Sequence, residues 1–374
     1  MPIFRRHFLY SFDLFLNQLL NKSITLVLEN GSEFQGYSFG AEHSTSGEVV
    51  FATGMVGYTE SLTDPSYAGQ ILTYTFPLIG NYGVPSDEKE YDLYKNFESS
   101  RIHVRALVVS DYSFEYSHWN AKQSLSEWLK KENIPAVYGI DTRRLTKTLR
   151  EQGTMLGKII FEKEETDFYD PNAIDIVQSV TVEEPILYNK NGKKKIILID
   201  CGAKNNIVRN FIKRNISILR VPYDYDFSNE SFDGVMISNG PGNPKMNGKT
   251  ISHIRKTIEQ NIPTFGICLG NQLLALAAGG NTYKLRYGHR SQNQPCTLVG
   301  TKRCYITTQN HGFAVDMKSL NNEWEEFYVN SNDGTNEGLK HKTKPCFSVQ
   351  FHPEHTPGPF DTEFLFDEFI SMLK

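Results

Sequence analysis

Cys268 stands in Gly266-Ile-Cys-Leu-Gly270, where an apolar run (Pro263–Ile267) gives way at once to helical spacing from Leu269. The pattern G-x-C-x-G is the cysteine counterpart of the sharp strand–turn–helix elbow that lifts a nucleophile above a sheet. Glycines flank such a turn because side chains there collide with neighbouring backbone. At a helix start, free N–H groups and the helix dipole favour the thiolate form of a cysteine. The plainer alternative is a small buried cysteine that only packs. Two glycines at a strand–helix joint favour the nucleophile.

A nucleophile of this kind needs a base. Phe347-Ser-Val-Gln-Phe-His-Pro-Glu-His355 places His352 and Glu354 two residues apart at the end of an apolar run, and His352 lies 84 residues beyond Cys268. In extended chain, side chains at i and i+2 project the same way, so imidazole and carboxylate can touch while Pro353 points away. A carboxylate beside an imidazole fixes its tautomer and stabilises the imidazolium formed when the ring takes a thiol proton. The order is nucleophile, base, orienter. His355 is the competing base, ranked second because it falls on the opposite face from Glu354.

Two further motifs offer places for a substrate. Ser238-Asn-Gly-Pro-Gly-Asn-Pro244 packs two glycines and two prolines into a turn directly after the apolar Val235-Met-Ile. Backbone N–H groups exposed by such a turn can stabilise an oxyanion; a plain tight turn is the alternative. Gln309-Asn-His-Gly-Phe313 sets a glycine where a ligand could approach the backbone, a signal of little specificity alone. There is no G-x-x-x-x-G-K-[ST] or G-x-G-x-x-G sequence, so no nucleotide site is evident. No His/Cys group has metal-ligand spacing, and the expectation is that the chain binds no metal.

The elements that must position these residues fall into two regimes. From Ile24 to Phe161 the chain is strand-rich: Ile24-Thr-Leu-Val-Leu and Phe34-Gln-Gly-Tyr flank an Asn-Gly hairpin signal. Glu48–Ala52 and Gln70–Phe76 read as buried strands, with helices only at Ala121–Lys131 and Arg143–Gln152. This predicts a strand-rich α+β domain over residues 22–161, followed by a charged, turn-rich linker over 162–194. From residue 195 to 374 the rhythm is strand, helix, strand. Strands at Lys195–Asp200, Ser217–Val221, Asp233–Ser238 and Pro263–Ile267 alternate with helices at Ile207–Arg214, Thr250–Gln260 and Leu269–Ala278. An α/β domain with a mostly parallel, helix-covered sheet follows, its functional groups at the carboxyl ends of the strands. The terminal segment 361–374 puts Leu365, Phe369 and Leu373 on one helical face, expected to cap the core.

Composition narrows the class. The 374 residues allow two or three domains and a sizeable core. Against 39 Lys and Arg stand 43 Asp and Glu, a net charge of −4 spread along the chain, which argues against nucleic acid as a partner. No stretch approaches ~18 uncharged apolar residues, so no membrane-spanning helix is expected. Five cysteines without a CxxC pair point to a reducing, cytoplasmic compartment. Residues 1–21 carry Arg5, Arg6 and His7 before an apolar run broken by Asp13; an extra helix is preferred, with organelle targeting as the alternative.

Together, G-I-C-L-G, S-N-G-P-G, Q-N-H-G-F and F-H-P-E resemble the class I glutamine amidotransferases. In the first half, Gly47-Glu-Val-Val-Phe, Gly57-Tyr-Thr-Glu-Ser-Leu-Thr-Asp-Pro-Ser-Tyr, Gly80-Asn-Tyr-Gly and Gly139-Ile-Asp-Thr-Arg resemble the small, glutaminase subunit of carbamoyl phosphate synthase. Thr53-Gly-Met-Val-Gly-Tyr, Phe97-Glu-Ser-Ser and Tyr287-Gly-His-Arg-Ser-Gln-Asn-Gln-Pro are similar to the eukaryotic pyrimidine-pathway type, here without a synthetase domain after the terminal helix. The resemblance implies Cys268 as nucleophile, His352 as base and Glu354 as its orienter. It implies an oxyanion hole from the N–H groups of Leu269 and Gly240, and glutamine held by Ser66, Gly242, Gln272, Asn310, Gly312 and Phe313. Ser66 lies in the first domain, so both domains would close on the substrate. The implied partner is a large synthetase subunit that uses ATP and Mg; no cofactor is expected in this chain. Asn271 replaces the family's usual His, and Asn243 its common Asp. Another hydrolase, such as a γ-glutamyl peptidase, and a non-catalytic scaffold are the rival readings; the first-half motifs oppose the former and the intact triad the latter.

Overall fold

The computed structural model describes residues 22–373, so the expectation for residues 1–21 lies outside the described residues. The first domain contains β1 (Ser23–Leu28), β2 (Glu33–Ser38), β3 (Thr45–Ala52), β4 (Gln70–Tyr74), β5 (Leu78–Ile79) and β6 (Lys89–Glu90). It continues with β7 (Leu93–Tyr94), β8 (Ala106–Val108), β9 (Asp111–Tyr112), β10 (Ala136–Tyr138) and β11 (Met155–Phe161). Seven of these close into a barrel in the order β1-β11-β3-β4-β8-β10-β2, leaving β5–β9 and β6–β7 as small ribbons. The Asn30-Gly31 signal forms the expected β1–β2 hairpin, with Gly31 at φ +83° and Ile24, Leu26 and Leu28 facing the core. Among the described residues three α-helices decorate the barrel: α1 (Tyr58–Thr63), α2 (Leu125–Lys131) and α3 (Thr142–Gln152). α2 starts four residues later than its sequence pattern because Ser124 caps it, exchanging hydrogen bonds with Glu127.

Residues 162–194 are more than a spacer. Ile176 and Val177 are buried, and the Thr181 hydroxyl donates to the carbonyl of Asp200 at 2.6 Å, so this segment packs against the second domain.

The second domain is built on β12 (Ile186–Tyr188), β13 (Lys194–Asp200), β14 (Ile216–Pro222), β15 (Gly234–Ile237), β16 (Thr264–Ile267) and β17 (Asn281–Leu298). It adds β18 (Cys304–Asp316), β19 (Trp324–Asn330), β20 (Asn336–His341) and β21 (Cys346–Val349), with α4 (Asn205–Lys213), α5 (Gly248–Glu259), α6 (Leu269–Ala277) and α7 (Phe364–Met372). The ten strands lie in the order β12-β14-β13-β15-β16-β21-β20-β19-β17-β18. The centre, β14-β13-β15-β16-β21, is parallel throughout. Antiparallel strands extend it on both sides, most of all the long β17–β18 hairpin. Periodicity did not announce that hairpin, whose strands are polar and bulged between Lys284 and His289 and between Ser291 and Gln294. As expected, α7 caps the core: Leu365 and Phe369 are fully buried, and Phe211, Phe265 and Phe369 meet ring to ring. Among the described residues no helix is long and apolar enough to cross a membrane.

The topology has one consequence for chemistry. Adjacent parallel strands β13, β15, β16 and β21 end at Asp200, Ile237, Ile267 and Val349. The segments that follow carry Lys204, Ser238–Gly242, Cys268 and His352, so all four gather at one edge of the sheet, where α/β folds place their sites.

Candidate active site

Cys268 occupies the joint between β16 and α6 with φ 56° and ψ −102°, a backbone conformation that side chains rarely tolerate. Its N–H donates to Val349 O at 2.9 Å, which ties the elbow to the strand that leads to His352. The flanking glycines are needed sterically: a Cβ on Gly266 would lie 2.6 Å from Gly270 O, and one on Gly270 would lie 2.3 Å from Ile237 O. The thiol is buried and its Sγ lies 3.5 Å from Asn310 O. Leu269 opens α6, where N–H groups have no intrahelical acceptor. Gly240 packs against it, since a Cβ there would fall 2.8 Å from Leu269 Cδ2.

β21 ends at Val349, so His352 and Glu354 sit in the turn beyond it rather than in extended chain. They meet nonetheless: His352 Nδ1 is 2.6 Å from Glu354 Oε1, and His352 N–H is pinned to Thr308 O at 2.9 Å. The other ring nitrogen, Nε2, is buried without a hydrogen-bond partner among the described residues. Burial alone would push the imidazole's pKa down; the Glu354 charge and the adjacent Cys268 sulfur overcome it and hold the ring well above the usual imidazole range. Burial likewise opposes ionisation of Glu354, yet Lys204 and His352 bring its pKa down to about 2. His355 turns its ring onto Phe360, with centroids 3.9 Å apart.

The residues that hold Glu354 escaped the sequence reading. Lys204 Nζ lies 3.2 Å from Glu354 Oε1 and donates to His355 O at 2.5 Å, while Asn206 Nδ2 donates to Glu354 O. Lys204 is 2% exposed. Its place just past the end of an apolar strand was the one available signal.

The first domain reaches the same edge through the loop after α1. Asn239 Nδ2 donates to Ser66 Oγ at 2.8 Å, which brings Ser66 against the Ser238–Gly242 turn. Asp64 accepts from the Ser66 N–H at 2.9 Å, from Asn239 Nδ2 at 3.3 Å and from Asn310 Nδ2 at 3.2 Å. Gln272 Nε2 donates to Phe313 O at 3.0 Å, joining α6 to β18. Gly312 lies beside Arg290, where a Cβ would sit 3.3 Å from Nη2, and Gly242 takes φ +83° beneath Ile176. A cavity between the domains is lined by Asp64, Tyr67, Lys204, Arg290, Asn310 and His352. Asp64, Asn239 and Arg290 lie within the stretches Gly57–Tyr67, Ser238–Pro244 and Tyr287–Pro295, but nothing in their spacing marks contacts made across the two domains.

Both family substitutions are accommodated. Asn271 is fully buried, accepting from Ser348 Oγ at 2.8 Å and donating to Gln350 Oε1 at 3.1 Å, an oxygen it shares with Gln272. Asn243 caps a short turn by accepting from Lys245 N–H at 3.1 Å.

A buried thiol on a strained elbow, a paired imidazole and carboxylate beneath it, and N–H groups at a helix start suit acyl transfer through a thioester. Comparison with known proteins places the two domains independently. Residues 197–372 match the family Glutamine amidotransferase class-I, and residues 26–159 match Carbamoyl-phosphate synthase small chain, CPSase domain. The chain is 50% identical over 389 residues to the multifunctional protein ura1 of Schizosaccharomyces pombe, covering 94% of this chain and 17% of that protein. It is 51% identical over 356 residues to the multifunctional protein CAD of Squalus acanthias (94% and 16% covered). It is 48% identical over 353 residues to the mitochondrial carbamoyl-phosphate synthase (ammonia) of Homo sapiens (93% and 24%). The chain thus spans less than a quarter of the length of these relatives.

Proposed function

Because the chain belongs to the class I glutamine amidotransferase family and carries the carbamoyl phosphate synthase small-chain domain ahead of it, we propose that it hydrolyses glutamine to supply ammonia for carbamoyl phosphate synthesis. Cys268 attacks the side-chain amide carbon of glutamine while His352 takes the thiol proton. The developing oxyanion accepts hydrogen bonds from the N–H groups of Leu269 and Gly240. His352, now an imidazolium held by Glu354, protonates the departing ammonia and leaves a thioester. Water, deprotonated by His352, then attacks the thioester and releases glutamate. Ser66, Gly242, Gln272, Asn310, Gly312 and Phe313 hold the glutamine. The ammonia passes to a large synthetase partner, which combines it with bicarbonate using ATP and Mg. Free ammonia is protonated at neutral pH and loses its nucleophilicity, so delivery inside the assembly has a chemical rationale.

The observation that carries this reading is the 2.6 Å His352–Glu354 contact at the sheet edge that bears Cys268. The test is to purify wild type and Cys268→Ser with the synthetase partner and measure carbamoyl phosphate formed from glutamine and from ammonium. Loss of the glutamine-driven reaction with the ammonium-driven one intact is expected. Glutamine-driven synthesis surviving in Cys268→Ser would remove the nucleophile assignment.

A further inference from the structure

One buried cation at the site takes no part in the triad. Arg290 on β17 stands directly opposite Asn310 on β18, so the two side chains project from the same face of the hairpin. That face lines the cavity between the domains, together with Asp64, Tyr67 and His352. The strand it faces is also the one whose Asn310 carbonyl meets the Cys268 sulfur. Arg290 is only 5% exposed. Two glycines leave its guanidinium room: a Cβ on Gly288 would fall 2.6 Å from Nη1, and one on Gly312 would fall 3.3 Å from Nη2.

A guanidinium keeps its proton inside a protein, and a buried charge is costly unless something pairs with it. Among the described residues the Arg290 side chain makes one hydrogen bond, from Nη1 to Tyr287 O at 2.9 Å, and no ion pair. The carboxylates around it are committed elsewhere. Glu48 pairs with Lys284 at 2.7 Å and accepts from Gln70 and Thr154. Asp64 accepts from the Ser66 N–H, Asn239 and Asn310. Burial lowers the pKa of Arg290; Arg220 is also buried, yet Asp200 at 2.9 Å holds its pKa up. Arg290 Nε is buried without a partner among the described residues. With Nη1 taken, Nε and Nη2 remain, and these two share the edge of the guanidinium that a carboxylate grips with both oxygens.

Glutamine brings an anion of the matching shape. With its amide at Cys268, its other end carries the α-carboxylate. We infer that Arg290 is a specificity-determining residue that pairs with the α-carboxylate of glutamine. This rests on the glutaminase reading above. The pair closes a charge that the protein leaves open, and it selects amides that bear an α-carboxylate over amides that lack one. The α-carboxylate is remote from the bond that breaks, and its charge is the same before and during the reaction. Loss of binding that is equal in ground and transition states raises KM and leaves kcat unchanged.

The test uses the full chain and two substrates: glutamine, and γ-aminobutyramide, which is glutamine with hydrogen in place of the α-carboxylate. Arg290→Met keeps the apolar stem and removes the charge. KM for glutamine is expected to rise about thirtyfold, as for loss of a charged hydrogen-bond partner, with kcat within about threefold. For γ-aminobutyramide kcat/KM is expected to change less than about twofold, so the preference for glutamine shrinks by about the same thirtyfold. Where γ-aminobutyramide turns over too slowly, its inhibition constant against glutamine gives the same comparison. If Arg290→Met does not fold, Arg290→Lys carries the test: it keeps the charge but loses the planar fork, and KM is expected to rise about tenfold. An unchanged KM in a folded variant, a fall in kcat alone, or equal losses for the two amides overturns the inference. Absence of glutamine turnover in wild type, or turnover that survives in Cys268→Ser, would instead sink the glutaminase reading.

Discussion

Lys204→Met removes a buried cation from beside Glu354 while keeping the length and apolar stem of the side chain. The two charges are 3.2 Å apart and both are buried. At an effective dielectric of about 20, charges at that separation attract by about 5 kcal/mol. Breaking a buried pair from one side costs about 3–5 kcal/mol in practice. The ~1.4 kcal/mol that each pKa unit represents turns even the lower figure into a rise of about two units for Glu354. Its carboxyl, now ionised down to about 2, would titrate between roughly 4 and 5. The sign follows directly. A carboxyl whose folded pKa is depressed contributes stability above its unfolded pKa and loses it as pH falls through the folded value. In wild type that contribution is lost progressively from about pH 5 down to about pH 2. In the variant, whose folded pKa lies near the unfolded value, little of it exists, and what moves up toward about pH 5 is the neutralisation of Glu354 itself. Once Glu354 is neutral, His352 loses both its orienting partner and the charge that supports its imidazolium. The assay is kcat/KM for glutamine hydrolysis from pH 8 to 4.5, expressed as the ratio of variant to wild type. The ratio is expected to begin falling at about pH 5.5 and to be down about two- to fourfold at pH 4.5, with urea stability at pH 7 reduced by about 3 kcal/mol. A folded variant whose ratio stays flat across that range would refute the proposed role of Lys204.

Other expectations follow from single contacts. Cys268→Gly should be more stable than Cys268→Ala by about 1 kcal/mol, because glycine accepts the φ of 56° without strain, and both should lack glutaminase activity; equal melting curves would remove the strain argument. Gly270→Ala drives a Cβ to 2.3 Å from Ile237 O, so a stability loss of about 1–3 kcal/mol with a larger loss of activity is expected in chemical denaturation and turnover assays. Asp64→Asn should raise KM for glutamine, since Asn310 Nδ2, Asn239 Nδ2 and the Ser66 N–H all converge on that carboxylate; an unchanged KM would place the substrate elsewhere. His103 is held neutral by burial, with its pKa down to about 3. The unfolded chain takes up that proton first, so stability should decline as pH falls below about 6.5, and His103→Asn should flatten that slope in urea titrations.

Much of this architecture was legible because it depends on local pattern. The continuous apolar runs of β13, β15 and β16 and the glycines around Cys268 mark a parallel sheet and its elbow within a few residues. The Asn30-Gly31 turn and the His352–Glu354 spacing are equally local. What stayed hidden depends on contacts between distant parts of the chain. Nothing in the spacing of Ala203-Lys-Asn-Asn206 says that Lys204 and Asn206 will meet Glu354, since that requires β13 and β21 to end at the same sheet edge. The barrel was hidden for the same reason: its closure needs β10 to pair with both β2 and β8, through two residue pairs each, contacts too short to leave a periodic trace. The β17–β18 hairpin shows the opposite failure, a long element whose polar, bulged strands mimic loop composition.

The division of labour between the domains explains why the hidden contacts matter. The amidotransferase domain alone supplies sulfur, imidazole and carboxylate, all fixed by strand ends. Yet the carboxylate that bonds both Asn239 and Asn310 is Asp64, from the barrel, and Glu98 of the barrel accepts the Asn206 N–H at 3.0 Å and pairs with Arg209 at 3.3 Å. Asn206 is the residue whose side chain donates to Glu354 O. Two barrel carboxylates thus bear on opposite walls of one site, one at the substrate side and one behind the orienting glutamate. A shift of the barrel relative to the sheet would move both walls together, so the domain seam is part of the geometry on which the proposed role of Cys268 depends.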